Sequence, residues 1–256
     1  MLDLVKIEFL KQRHQKLNFV VYGVVSLYLA LICYYVNDAR GLFDSFPFVY
    51  KFSLSYLNFL ILPLYCVSYT IQAFGVEYRY RIMNNLKLAS ANLMKTFWAK
   101  ILYIEINALC IMLFTYILVS LFALLSRFSS TVSLSLLLRF FYLCMSSGIL
   151  IPMGVFPLVA LVMIKVRGKE IVGNLVGVMY VLVSFFLART SPNISPVTSA
   201  NSLIWEGNRE GVVLQQPAIL SIIVLGLSLL VLSFLYDTHL LIFLFDYIYI
   251  PTIKII

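Results

Sequence analysis

Three observations predict an all-α integral membrane protein with six transmembrane helices. Hydrophobic residues make up 62% of the chain and charged residues 12%, against roughly 45–50% and 25% in soluble domains. Apolar runs recur at about 17–36, 52–75, 101–125, 140–164, 171–188 and 218–235, and about 20 apolar residues suffice to cross a bilayer. Six crossings put both termini on one side, and that side carries thirteen of the nineteen basic residues. Basic loops stay cytoplasmic, so both termini are expected inside.

The 256 residues are filled by these spans and short connections, which makes 1–256 a single transmembrane domain. The net charge of +8 flanks the spans, so it reads as a topology signal and an attraction to anionic lipid rather than to nucleic acid. Cys33, Cys66, Cys110 and Cys144 fall in four different apolar runs with no CxxC and no histidine at ligand spacing. They read as small buried hydrophobes, not as a disulfide or metal set.

Residues 1–16 carry four basic groups, with Leu2, Val5 and Phe9 on one helical face, and read as an interfacial helix on the cytoplasmic side or as a frayed basic terminus. The first span has no A-x-A-like cleavage site after it and is expected to stay. Asn37, Asp38 and Gly41 mark a short outer turn. The second span is the most polar: Asn58, Tyr65, Tyr69 and Gln72 fall within about 60° of one another around a helix, and Pro63 is expected to bend it. Such a stripe avoids lipid, facing other helices as interhelical hydrogen bonding or facing a water-filled path.

The interval 77–100 is the longest charged stretch between spans and carries Arg79, Arg81, Lys87, Lys95 and Lys100. Ile82, Leu86, Ala89 and Leu93 repeat at helical spacing on one side, with Asn84, Lys87, Ala91 and Lys95 on the other. A short amphipathic helix is expected there at the cytoplasmic face, with Leu88 isolated among its polar residues. Glu105 sits one turn inside the third span and reads as an interfacial carboxylate near Lys100. A Ser-rich outer turn, 126–139, leads into a fourth span interrupted by Ser146, Ser147, Gly148, Pro152 and Pro157. Such breakers are tolerated where neighbouring helices satisfy the backbone.

A short basic loop with Lys165, Arg167 and Lys169 joins spans four and five. Span five opens with a GxxxG, Gly173 and Gly177, and Tyr180 and Ser184 continue its face, a pattern that permits close helix approach. The interval 189–217 is the longest loop and is expected outside, with Trp205 as a headgroup anchor. The apolar run 240–250 near the end of the chain, interrupted by Asp246, is too short to cross and reads as interfacial.

A Glu closing one span, a basic and polar turn, a Leu-rich turn with small residues and a Lys opening the next span resemble the permeases of type-2 ABC exporters. The matching residues are Glu77, Arg81, Leu86, Leu88, Ala89, Ser90 and Lys100. The family's frequent Gly-Thr pair and Pro are replaced by Arg81-Ile82 and Ala89-Ser90. The resemblance implies that the amphipathic segment is a coupling helix seated on a separate ABC ATPase, with Glu77, Arg81, Asn84, Lys87, Leu88 and Lys100 as the coupling residues. It also implies a second permease subunit, identical or related, and a partly re-entrant outer segment before the last span. ATP and Mg would be bound by the partner, this chain holding no cofactor.

On that reading Asn58, Tyr65, Tyr69, Gln72, Gly173, Gly177, Tyr180 and Ser184 line the translocation pathway. The small size resembles the bacterial self-protection permeases that expel lantibiotics and related antimicrobial peptides across the cytoplasmic membrane, and a drug is an equally amphipathic cargo. An ATP-independent channel or a structural membrane protein is the alternative. An intramembrane enzyme is disfavoured: His14 and His239 lie outside the spans, no HExxH occurs, and no span carries two acidic residues. Gly168-Lys169 lacks the upstream glycine and strand of a phosphate loop. No catalytic or metal-binding residues are assigned.

Overall fold

The computed structural model describes residues 2–12, 17–39, 45–79, 93–165, 170–190, 194–205 and 219–230. All regular structure among them is helical. Helix α1 is Leu2–Gln12 and α2 is Leu17–Asp38; α3, Phe46–Tyr56, runs through a π-turn, Leu57–Ile61, into α4, Leu62–Arg79. Then come α5, Leu93–Leu125, α6, Leu134–Lys165, α7, Glu170–Thr190, and the short α8, Pro196–Ile204. Helix α9 is Ile219–Leu230.

Five of these rods are long and apolar enough to cross a membrane: Leu17–Asp38, Phe46–Gly75, Lys95–Leu125, Leu134–Met163 and Glu170–Ala188. They correspond in order to the first five expected spans. Of the sixth, the described residues include α9. The rest of 218–235, the interval 80–92 and the run 240–250 lie outside the described residues.

Three boundaries differ from expectation, each for a physical reason. Helix α5 begins at Leu93, eight residues before the apolar run, because Thr96, Phe97, Ala99 and Lys100 are buried by neighbouring helices. Helix α6 begins at Leu134 rather than after Arg139, the Ser133 hydroxyl accepting the Leu136 amide at 3.4 Å as an N-cap. The second span extends back to Phe46, and its irregularity lies in the turn preceding Pro63. A ring cannot supply the N–H that a regular ladder needs there, and the ladder widens to i→i+5, Leu62 N donating to Leu57 O.

The second span is the most enclosed rod, while the first and fifth leave most of their surface outside the fold. Around α4, Phe74 meets Phe156 of α6, with ring centroids 6.1 Å apart, and Tyr69 meets Tyr103 of α5 at 5.7 Å. Val67 and Ile71 of α4 meet Gly177 and Gly173 of α7. At the end where α2 stops, Arg127 donates from Nη2 to Val36 O at 2.8 Å, satisfying a carbonyl that the helix terminus leaves open. Thr131 Oγ1 accepts the Phe46 amide at 3.1 Å, so the 126–133 turn gathers the ends of α2, α3 and α5.

Candidate functional site

The polar stripe of the second span divides into two clusters. Nearer the end where α4 approaches α5, Tyr65 and Tyr69 pack with ring centroids 4.3 Å apart. Tyr103 continues the column from α5, and Phe9 of α1 meets Tyr103 edge-on at 4.8 Å. The column thus links the N-terminal helix to the bundle interior. Gln72 Oε1, Glu105 Oε1 and the Tyr69 hydroxyl are buried with no hydrogen-bond partner among the described residues.

Lys100 is 1% exposed, although its charge suggests the interface. Its Nζ donates to Ala73 O at 2.7 Å, stands 5.2 Å from the Phe74 ring centroid and lies 3.9 Å from Glu8 Oε1. Glu8 also accepts from Lys11 at 2.9 Å and is itself buried. The docked face of α1 is therefore Val5 with Glu8, a charged contact that apolar periodicity passes over. A buried cation of α5 is held here by a carbonyl and a ring of α4 and a carboxylate of α1.

The second cluster surrounds the π-turn. Asn58, fully buried, donates from Nδ2 to Ser147 Oγ of α6 at 2.8 Å. Its main-chain carbonyl lacks the usual donor, since Leu62 N is committed to Leu57 O and Pro63 has no N–H. Asn201 of α8 supplies one, Nδ2 to Asn58 O at 3.5 Å. Non-helical backbone at membrane depth survives by such re-satisfaction.

Helix α8 reaches this point because the chain turns back into the bundle after α7. Ser195 Oγ lies 2.6 Å from Ser184 Oγ, about 9 Å along α7 from its end at Thr190. Tyr180 donates to Gly154 O at 3.0 Å, and a Cβ on Gly154 would stand 2.9 Å from Pro196 O. Glycine there admits the N-terminal end of α8. Thr198, Ser199, Asn201 and Ser202 are all buried, as is Trp205 at 6%. Trp205 thus packs into the fold and is not displayed as a headgroup anchor.

Of the pathway residues expected from sequence, all eight lie on the α3–α4 rod or on α7. Gly173 and Gly177 are close-approach points: a Cβ on the first would meet Met163 Sδ, and on the second Val67 Cγ1. Tyr180 and Ser184 hold the start of α8. Of the expected coupling residues, Arg81, Asn84, Lys87 and Leu88 lie outside the described residues. Glu77 is described only as a position in α4, and Lys100 is buried as above. Glu8, Ser195 and Asn201 belong to these clusters without having been singled out from sequence, and Ser147, expected only as a break in the fourth span, is the partner of Asn58; serine and asparagine in an apolar chain were the available signal.

No group of three or more His, Cys, Asp or Glu side chains capable of holding a metal occurs among the described residues. The family model described as ABC-2 family transporter protein matches residues 4–184, which cover the first four rods and most of the fifth. No curated protein and no solved structure matches the chain.

Proposed function

The chain belongs to the ABC-2 family of transporter proteins, the match covering well over half its length, and on that premise we propose that it is the permease half of an ATP-driven exporter. Family membership makes it a multi-pass membrane transport subunit associated with an ABC ATPase. We read six spans with both termini in the cytoplasm of a bacterial cell and a pathway shared with a second permease subunit. The first five rods account for five of those spans, and α9 is a described stretch of the sixth.

Energy enters through the segment 80–92, where Arg81, Asn84, Lys87 and Leu88 contact the ATPase, flanked by Glu77 and Lys100. Closure of the ATPase dimer around ATP and Mg would move this segment and rock the spans between inward and outward openings. The pathway wall is the stripe of α4, where Tyr65, Tyr69 and Gln72 present hydroxyl, amide and ring surface on the side of α5. Asn58, Tyr180 and Ser184 hold the re-entrant helix α8, and Gly173 and Gly177 let α7 approach the opposite side of α4. Amide, hydroxyl and aromatic groups suit an amphipathic cargo, an antimicrobial peptide of the lantibiotic class or a drug.

The observation that carries this reading is the family match over a bundle whose most polar rod is also its most enclosed. Expression together with the partner ATPase in a sensitive bacterium tests it. Lantibiotic tolerance is expected to rise, and to fall back when the ATPase is inactivated. Tolerance indifferent to the ATPase contradicts ATP-driven export; tolerance unchanged for peptides but raised for drugs contradicts only the peptide cargo.

A further inference from the structure

The second span and α7 meet at a single register over most of a bilayer's depth. Phe59 of the π-turn faces Phe185, with ring centroids 6.2 Å apart. Eight residues on, a Val67 methyl lies where a Cβ of Gly177 would point, and four further a Cβ on Gly173 would stand 3.4 Å from Ile71 Cγ1. After four more comes Gly75, where a Cβ would stand 2.6 Å from Glu170 Oε1 and 2.9 Å from Glu170 Cγ. The partners on α7 retreat by eight, four and three residues over the same steps, so the rods run antiparallel without slippage. From 59 to 75 the seam is about 24 Å long at about 1.5 Å per residue, against a hydrocarbon core of about 30 Å.

The register leaves this seam little freedom. Displacing either rod would drive a side chain into bare backbone at Gly75, Gly173 or Gly177, and parting them would open a gap that no side chain there can fill. One end of the seam is bridged by α8, through Ser195 to Ser184 of α7 at 2.6 Å and through Asn201 to the Asn58 carbonyl at 3.5 Å. The other end, at Gly75 and Glu170, stands five residues before the interval 80–92. The polar stripe lies on another face of α4, where Tyr69 meets Tyr103 of α5 by ring contact and its hydroxyl has no hydrogen-bond partner among the described residues.

We propose that α4 and α7 move as one rigid body during transport, with α8 carried across the far end. A displacement at 80–92 then reaches the re-entrant helix while this seam stays shut, and opening falls to the other faces of the two rods. The inference rests on the proposed function, since it assigns the moving part of an ATP-driven cycle.

The test uses the full chain with its partner ATPase in inside-out membrane vesicles, the chain freed of Cys33, Cys66, Cys110 and Cys144. Two cysteine pairs cross the seam: Gly75→Cys with Glu170→Cys, and Ile71→Cys with Gly173→Cys. Oxidation by copper phenanthroline is timed without nucleotide and in the state trapped by ATP and vanadate. Each disulfide is expected to form at rates within about twofold in the two states, and the joined chain to support ATP hydrolysis within about twofold of the rate after reduction. A change of about tenfold or more in the joining rate overturns the rigid body, as does a comparable loss of hydrolysis that dithiothreitol restores. A folded chain in which neither pair joins also overturns it. Where one pair prevents folding, the other decides. A native chain that brings down no ATPase overturns the proposed function and this inference together, whereas a failure confined to the cysteine pairs overturns the inference alone.

Discussion

The buried Lys100 shows how a residue's neighbours decide its meaning. Alone it marks the end of a charged loop, but its Nζ is held by Ala73 O, the Phe74 ring and the Glu8 carboxylate. Lys100→Met keeps the stem and removes the charge, leaving Glu8 with Lys11 alone. We expect a loss of about 1–3 kcal/mol in thermal unfolding, with most of it recovered in a Glu8→Gln, Lys100→Met double variant because no unpaired charge then remains buried. Equal stability of native and Lys100→Met chains would show that the cluster contributes nothing. Gln72 offers a complementary case, since its Oε1 is buried without a partner among the described residues. Gln72→Leu should leave insertion and stability intact and change which compounds are exported; an unchanged export profile would make Gln72 a packing residue only. The polarity of Gln72 and Tyr69 was legible in the sequence. The role of Glu8 was not, because a charged side chain on a short basic helix looks solvated until the helix is docked.

At the scale of elements, the GxxxG of α7 separates into two unlike contacts. A methyl group on Gly173 meets the end of the flexible Met163 side chain, whereas on Gly177 it meets Val67 close to a stiff β-branched carbon. Gly177→Ala is therefore expected to cost about 1–3 kcal/mol through overpacking, and Val67→Ala to restore part of it in the double variant. Gly173→Ala should unfold within about 1 kcal/mol of the native chain, since methionine repacks readily. Equal costs at the two glycines, or no coupling to Val67, would contradict this seam. The small-residue spacing was visible in the sequence, but the difference between its two positions depends on which side chain stands opposite. The residues of helix α8 alone read as part of the longest outer loop, and only the family resemblance implied a partly re-entrant segment there. Its burial rests on hydrogen bonds to other helices, which hydropathy does not register.

For the molecule as a whole, five spans followed directly from apolar runs of crossing length, and their order along the chain agrees with the structure. The starts of α5 and α6 did not, because Lys100 and Arg139 interrupt hydropathy without interrupting a helix that its neighbours support. The six-span topology is open to single-cysteine labelling in a chain freed of its native four. Position 130 is expected to react with an impermeant reagent from outside, and positions 85 and 167 only after the inner face is opened. Reaction of position 85 in intact cells would contradict the proposed orientation. On the proposed function this permease is driven through the segment 80–92, with Leu88 as an apolar anchor ringed by Asn84 and Lys87 at the ATPase surface. Affinity purification of the tagged chain with its partner from membranes tests that coupling. The native chain should bring down the ATPase, and Leu88→Asp, expressed and inserted at native levels, should bring down little or none. A Leu88→Asp chain that retains its ATPase at native yield would rule out coupling through Leu88.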